Sequence, residues 1–414
     1  MKNDLDRLMQ EHQIDVVFVV GAAQHNPAMV YFTGRVHVSQ AELIKVVGKE
    51  PLLYFASAME REEAAKTGLA TQSIEAYHPK RLLEQAQGDA ILARAMRYQR
   101  MLEDLGVHKG RMAVYGMSEA GLAYAVFSRL SDLMPGIEIV SESDHTILGL
   151  ARSTKDEKEI EQIRHMGEIT IEVVKQTADF LTDQKVVHGV LTKSNGEPLR
   201  IGEIKRQINL WLAERGAENP HGTVFAIGRD AAIPHSAGED QMVLEVGKTI
   251  VFDIFPCQEQ GGYYYDFTRT WCLGYAPDDV WALYEDVKAV YQTVIEALKL
   301  EGQCADYQKL VCDLFEGRGH PTVKSNPTTE EGYVHSLGHG VGLQIHERPW
   351  FGTNATEKDI LSVGSVFTIE PGLYYPTRGM GIRLEDTYVV HKDGRIEPLA
   401  HFPLDLVLPI KMSS

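Results

Sequence analysis

Four carboxylates in this chain stand where a charge is costly. Asp253 lies within Thr249-Ile-Val-Phe-Asp-Ile254, Asp266 follows Tyr263, Tyr264 and Tyr265, Glu370 closes Ser365-Val-Phe-Thr-Ile-Glu370, and Glu385 stands in Gly381-Ile-Arg-Leu-Glu-Asp386. The surrounding β-branched and aromatic residues are those of strands, and a carboxylate buried there without a partner is expensive. Strand arginines could answer for the acids singly, Asp266 pairing with Arg269 and Glu385 with Arg383. Two divalent cations roughly 3.5 to 4 Å apart, bridged by carboxylates, would answer for all four at once. On that reading Arg383 orients a ligand carboxylate from behind.

A nitrogen donor is also visible. The segment His335-Ser-Leu-Gly-His-Gly-Val-Gly-Leu-Gln-Ile-His-Glu347 sets three histidines among glycines, which let a backbone turn tightly and come close to a ligand. His339, flanked by Gly338 and Gly340, is the candidate ligand, and His335 a candidate donor to substrate.

In order, Asp253, the run Asp266-Phe-Thr-Arg-Thr270, Gly338-His339, Ile369-Glu-Pro-Gly372 and Arg383-Leu-Glu-Asp386 resemble the signature of the pita-bread metallopeptidase family, which includes methionine aminopeptidase, aminopeptidase P and prolidase. Asn26-Pro-Ala-Met-Val-Tyr-Phe-Thr-Gly34 resembles a motif of the smaller domain found in the prolidase and creatinase branch. The resemblance covers the whole chain and implies two divalent ions, with manganese favoured over cobalt, zinc or iron. It implies that Asp253 chelates one ion, Asp266 and Glu385 bridge both, and His339 with Glu370 completes the second. A hydroxide between the ions would be the nucleophile, Glu370 its proton shuttle, and His235 and His346 would assist the scissile bond, with His335 and Arg383 on the substrate side. The expected reaction is hydrolysis of an Xaa-Pro bond in a small peptide, by a cytoplasmic homodimer.

Two departures mark this chain. The spacing from Asp253 to Asp266 is two residues longer than the family's usual one, through Pro256-Cys-Gln-Glu-Gln-Gly-Gly262, and His346-Glu-Arg-Pro-Trp350 lacks the arginine that prolidases often carry after the proline. The resemblance therefore leaves open a non-peptidase activity on the same fold, a sulfonium propionate lyase or a creatinase-like hydrolysis. The complete carboxylate set speaks against creatinase chemistry and against a binding module with a degraded site.

The elements that must position these groups alternate in type. At 414 residues, two domains are expected. A helix through Leu5 and Met9, strands at 15–20 and 51–55, a helix over 80–105, a strand at 112–115, a helix opening near Ser118 and a strand at 137–140 describe an α/β domain. The boundary falls at about residue 150, giving a creatinase-like domain over 1–150 and a pita-bread catalytic domain over 151–414. There Thr154 with Glu157 predicts a capping box for a long helix through Ile163, Thr170, Val174 and Leu181. Residues 187–200, with Gly189, Asn195-Gly196 and Pro198, predict a loop or hairpin between helices.

Composition is that of a soluble globular protein: 44% hydrophobic and 24% charged residues. A net charge of -17 disfavours a nucleic-acid partner. The apolar run 16–20 is too short to span a bilayer, and the first ten residues lack a secretory pattern. Cys257, Cys272, Cys304 and Cys312 show no zinc spacing and read as reduced, buried thiols.

Overall fold

A computed structural model describes residues 4–142 and 145–410. The chain divides into two compact units, one of Met1–Arg152 with Glu259–Gly262, the other of Ser153–Gln258 with Tyr263–Ser414. Part of the long segment between Asp253 and Asp266 thus belongs with the first unit.

The first unit is built on a six-stranded sheet whose spatial order is Ala70–Ser73, Leu52–Phe55, Ala41–Val46, Val16–Gly21, Gly110–Gly116, Ile137–Val140. Val16–Gly21 pairs parallel with Gly110–Gly116 and antiparallel with Ala41–Val46. Val16, Phe18, Tyr98, Leu102, Phe127 and Leu130 fill the core between sheet and helices, each such burial being worth about 1.5–3 kcal/mol for a large apolar side chain. The single helix expected over 80–105 is two, Pro79–Gln85 and Ala90–Asp104. Gln87 and Gly88 adopt φ of 52° and 88°, left-handed values that end one helix, and Asp89 accepts from the N–H groups of Ile91 and Leu92 to begin the next. The Asn26 motif forms a short helix, Pro27–Thr33, capped by the Asn26 side chain.

In the second unit the long helix is Glu157–Thr182, and its capping box is formed by Asp156 and Glu159, two residues beyond the expected pair. Asp156 is the residue in extended conformation before the helix, and its carboxylate reaches two backbone N–H groups. Gly167 on this helix leaves room for Tyr265, whose ring carbon would lie 2.6 Å from an added Cβ. Residues 185–187 and 190–192 form the expected hairpin.

Two sheets carry the candidate groups. One orders Thr223–Ile227, Thr249–Ile254, Phe267–Leu273 and Val407–Leu408. The other orders Glu347–Trp350, His339–Gly340, Val366–Ile369, Asp386–Val390 and Ile396–Pro398. A ribbon of Gly372–Tyr375 with Met380–Arg383 runs beside them, and a bridge between Thr268 and Glu385 links the first sheet to the turn between ribbon and second sheet. Helices Asp278–Ala297 and Cys304–Glu316 supply Val287, Tyr291, Val311 and Phe315 to the core against Phe367 and Ile369. All four cysteines are free and buried. Among the described residues, no helix is long and apolar enough to cross a membrane.

Candidate metal centre

The candidate ligands sit at or beside strand ends. Asp253 lies within Thr249–Ile254, opposite Val224 on one side and Thr268 on the other. Asp266 immediately precedes Phe267–Leu273, Glu370 follows Val366–Ile369, Glu385 precedes Asp386–Val390, and His339 opens a two-residue strand. Beyond the end of a ladder the alternation of faces no longer dictates where a side chain points, so acids from several strands can converge.

They do converge. One donor atom each from Asp266, His339 and Glu385 lies within 4.8 Å of the others. His339 Nε2 is 3.5 Å from Asp266 Oδ2 and 3.6 Å from Glu370 Oε1. Its tautomer is set by the backbone: Nδ1 donates to the Gly340 carbonyl at 3.1 Å, turning the Nε2 lone pair toward the carboxylates. The flanking glycines are needed for a reason the sequence did not disclose. A Cβ on Gly338 would meet the Thr368 carbonyl oxygen at 2.0 Å, and one on Gly340 would meet that of Arg348 at 2.0 Å. They admit neighbouring backbone, not ligand.

Burial holds the His339 ring down to about 3, with His346 adding to the shift, so the imidazole is neutral and able to donate a lone pair. Burial pushes Asp266 and Glu385 well above the carboxylate range, and the other acids of the cluster reinforce it. Glu370 is pushed up to about 8, chiefly by burial, with Arg383 opposing and Asp253 adding. Asp253 Oδ1, Asp266 Oδ1 and Glu385 Oε1 are buried and accept no hydrogen bond from the described residues. Buried, mutually repelling oxygens with unused lone pairs beside a neutral imidazole form a donor set that fits hard or borderline divalent cations, whose charge would reverse the upward shifts.

A polar lattice supports the acids. Thr268 Oγ1 donates to Glu385 Oε2 at 2.7 Å. Arg383 Nη2 donates to Asp253 Oδ2 at 2.5 Å and Nη1 to the Tyr374 hydroxyl at 2.8 Å. The Tyr374 hydroxyl lies 2.9 Å from His335 Nε2, and His335 Nδ1 donates to the Ser336 carbonyl at 2.7 Å. Both nitrogens of His335 therefore have protein partners, and burial, then Arg383, lowers its pKa to about 3. The arginine pairs suggested by sequence neighbours are replaced by others: Arg269 holds Asp386 at 2.9 and 3.1 Å, and Arg383 holds Asp253.

His346 stands with its ring centroid 4.4 Å from that of His339, at 81°. Burial lowers its pKa, Asp253 opposes the shift, and the imidazoles of His235 and His221 add to it. His235 and His221 therefore lie within electrostatic reach of His346. Thr268, Tyr374 and His221 were not singled out from the sequence. Thr268 and Tyr374 were inside quoted motifs, but only the cross-strand contacts separate them from packing residues. His221 lies in Asn219-Pro-His-Gly222, a turn-like stretch that reads as surface.

Residues 161–392 match the model of metallopeptidase family M24, and residues 2–147 match that of the creatinase/prolidase N-terminal domain. The chain is similar to an Xaa-Pro dipeptidase of Lactobacillus delbrueckii subsp. lactis, 26% identical over 99% of this chain and 100% of the relative. An Xaa-Pro dipeptidase of Pyrococcus horikoshii is 28% identical over 84% of this chain and 90% of its own. Among solved structures, a dipeptidase from Pyrococcus horikoshii superposes with a TM-score of 0.73 at 21% identity, covering 98% of each chain.

Proposed function

The chain belongs to metallopeptidase family M24, with a creatinase-like α/β domain followed in sequence by a pita-bread domain, and from that membership we propose that it hydrolyses Xaa-Pro peptide bonds. The observation that carries the reading is the set of acids around His339 with three buried oxygens that have no hydrogen-bond donor among the described residues. Similarity to Xaa-Pro dipeptidases over nearly the whole chain supports the substrate class. In this reading the catalytic domain runs over 151–414, and Asp253, Asp266, His339, Glu370 and Glu385 hold two divalent ions. The oxygen-rich donor set favours manganese. When bound, the ions supply an activated water and neutralise negative charge as it develops.

The chain's own residues do the rest. Glu370, at the edge of the cluster, takes a proton from the attacking water and returns it to the leaving nitrogen. A bond to proline expels a secondary amine and offers no N–H, so hydrogen-bond donors are needed at the carbonyl oxygen and around the proline. In this reading His346, whose ring packs against that of His339, and His235 supply them. Arg383 and His335 act through Asp253 and Tyr374, holding one ligand and one hydroxyl in place. A cytoplasmic homodimer belongs to the same reading, on family likeness.

The test is hydrolysis of Gly-Pro and Ala-Pro by metal-stripped protein reloaded with manganese. Glu370→Ala is expected to lower kcat by roughly 10²–10⁴-fold. Stoichiometric metal binding without cleavage of any peptide would overturn the proposal and bring forward a lyase or other small-molecule reaction.

A further inference from the structure

The first unit holds a cavity for which the proposed chemistry has no use. Its volume is about 450 Å³, within the roughly 300–1,000 Å³ of small-molecule sites. Four strands of the sheet, Val16–Gly21, Leu52–Phe55, Ala70–Ser73 and Gly110–Gly116, run in one direction. The cavity lies at their carboxyl ends, where Gly21, Ala56, Ile74 and Ser118 line it. That end of an open α/β sheet is where ligand crevices form, because the connections depart from the sheet there.

Three helices complete the walls. Ala90–Asp104 presents Ala90, Ala93, Arg94, Arg97 and Tyr98, one stripe at i, i+3, i+4, i+7 and i+8. Pro79–Gln85 adds Leu82 and Leu83, and Ala120–Leu133 adds Leu122, Ala123, Val126 and Phe127. The space exists because side chains from several elements are short: Ala41, Ala56, Ala90, Ala93 and Ala123 all border it. Leu83 and Leu122 are 40% and 36% exposed, apolar area that an occupant would take from water.

The charges in the lining select the occupant. They are Glu42, Arg94 and Arg97. Arg97 gives both terminal nitrogens to Glu42, at 2.9 and 2.8 Å, and the Tyr98 hydroxyl donates to the same carboxylate, so this pair is complete. Arg94 is half-buried and makes no hydrogen bond or ion pair among the described residues. One unmatched guanidinium thus stands among mostly apolar walls. A dianion such as a phosphate monoester would leave negative charge uncompensated beside Glu42, whereas a planar carboxylate matches the guanidinium fork one for one. We infer that the first unit binds a small carboxylic acid with an apolar body, its carboxylate on Arg94 and its body against Leu82, Val126 and Phe127. The site draws on no metal ligand and does not depend on the peptidase reading.

The test is isothermal titration of the full, manganese-loaded chain with phenylacetate and with phenylacetamide, which replaces the charge by a neutral amide. Wild type should bind phenylacetate at one site with a Kd of about 1 mM or below. Phenylacetamide should bind about tenfold or more weakly, the scale of a lost hydrogen bond to a charged group. Arg94→Met keeps an apolar stem and should lose that preference for the acid. Ala123→Trp fills the cavity and should abolish binding of both compounds, with melting temperatures checking that each variant folds. Absence of binding to wild type, a preference for the acid unchanged in Arg94→Met, or phenylacetate binding unchanged in Ala123→Trp overturns the site, the last by placing the acid elsewhere on the chain.

Discussion

Glu42 in the first unit and Glu385 in the second are both enclosed acids, yet the protein treats them differently. Glu42 receives two hydrogen bonds from Arg97, at 2.9 and 2.8 Å, and a third from Tyr98 at 3.1 Å. Asp386, adjacent to Glu385, is likewise complete, with Arg269 and the Tyr291 hydroxyl as donors. Glu385 has Thr268 on one oxygen and no donor among the described residues on the other, with Asp266 and Glu370 close enough to repel it. A buried acid with matched donors is a structural joint; one left short of donors beside other acids marks a place prepared for a cation that the chain does not itself supply.

That contrast can be broken from either side. The largest effect is expected at the satisfied pair: Arg97→Met leaves half-buried Glu42 with Tyr98 as its remaining side-chain donor and should cost about 1–3 kcal/mol of stability. Because the joint is complete without metal, chemical denaturation should give the same loss with and without manganese. Thr268→Val tests the other side. It removes the hydroxyl that orients Glu385 and should weaken metal binding by roughly 10–100-fold, read by isothermal titration, with a smaller change in the stability of the metal-free protein. Equal effects of metal on both variants would erase the distinction.

The smallest effect is a slope. His335 has an ordinary pKa of 6.5 that burial lowers to about 3 in the folded chain. Above the ordinary value both folded and unfolded states are neutral and His335 contributes no pH dependence. As pH falls from 6.5 toward 3, the unfolded chain takes up a proton that the folded chain refuses, so stability is lost over that window at up to about 1.4 kcal/mol per pH unit. Replacing His335 by Gln in metal-free protein should flatten the fall in melting temperature between these limits. An unaltered profile would show that His335 is not held neutral.

The metal-ligand candidates were legible because residue type and setting disagreed: an acid inside an apolar strand is conspicuous in one dimension. Their supporting contacts were not. Arg269 and Arg383 could be offered only the acids near them in sequence, whereas their partners are set by sheet register and by the approach of ribbon to sheet, which places Arg383 on Asp253, 130 positions away. The break near Gln87 did carry a local mark, Gly88 followed by the capping Asp89, and helical spacing of the apolar residues on either side was weighed above it. The capping box was displaced by two residues because Thr154 and Asp156 both suit a helix start, and only the extended backbone at Asp156 chooses between them. His221 was missed because a histidine in a turn says nothing about its partner across the fold, here Tyr264.

The glycines at 338 and 340 have a consequence for the history of this chain. Every base change that alters a glycine codon's amino acid introduces a Cβ, and at either position that carbon would lie 2.0 Å from a carbonyl oxygen of an adjoining segment. Loss of Asp266 or Glu385, by contrast, removes a buried acid that its neighbours repel. The segment that bears His339 has no comparable neighbouring sequences to explore, so its shape should outlast the reaction it serves.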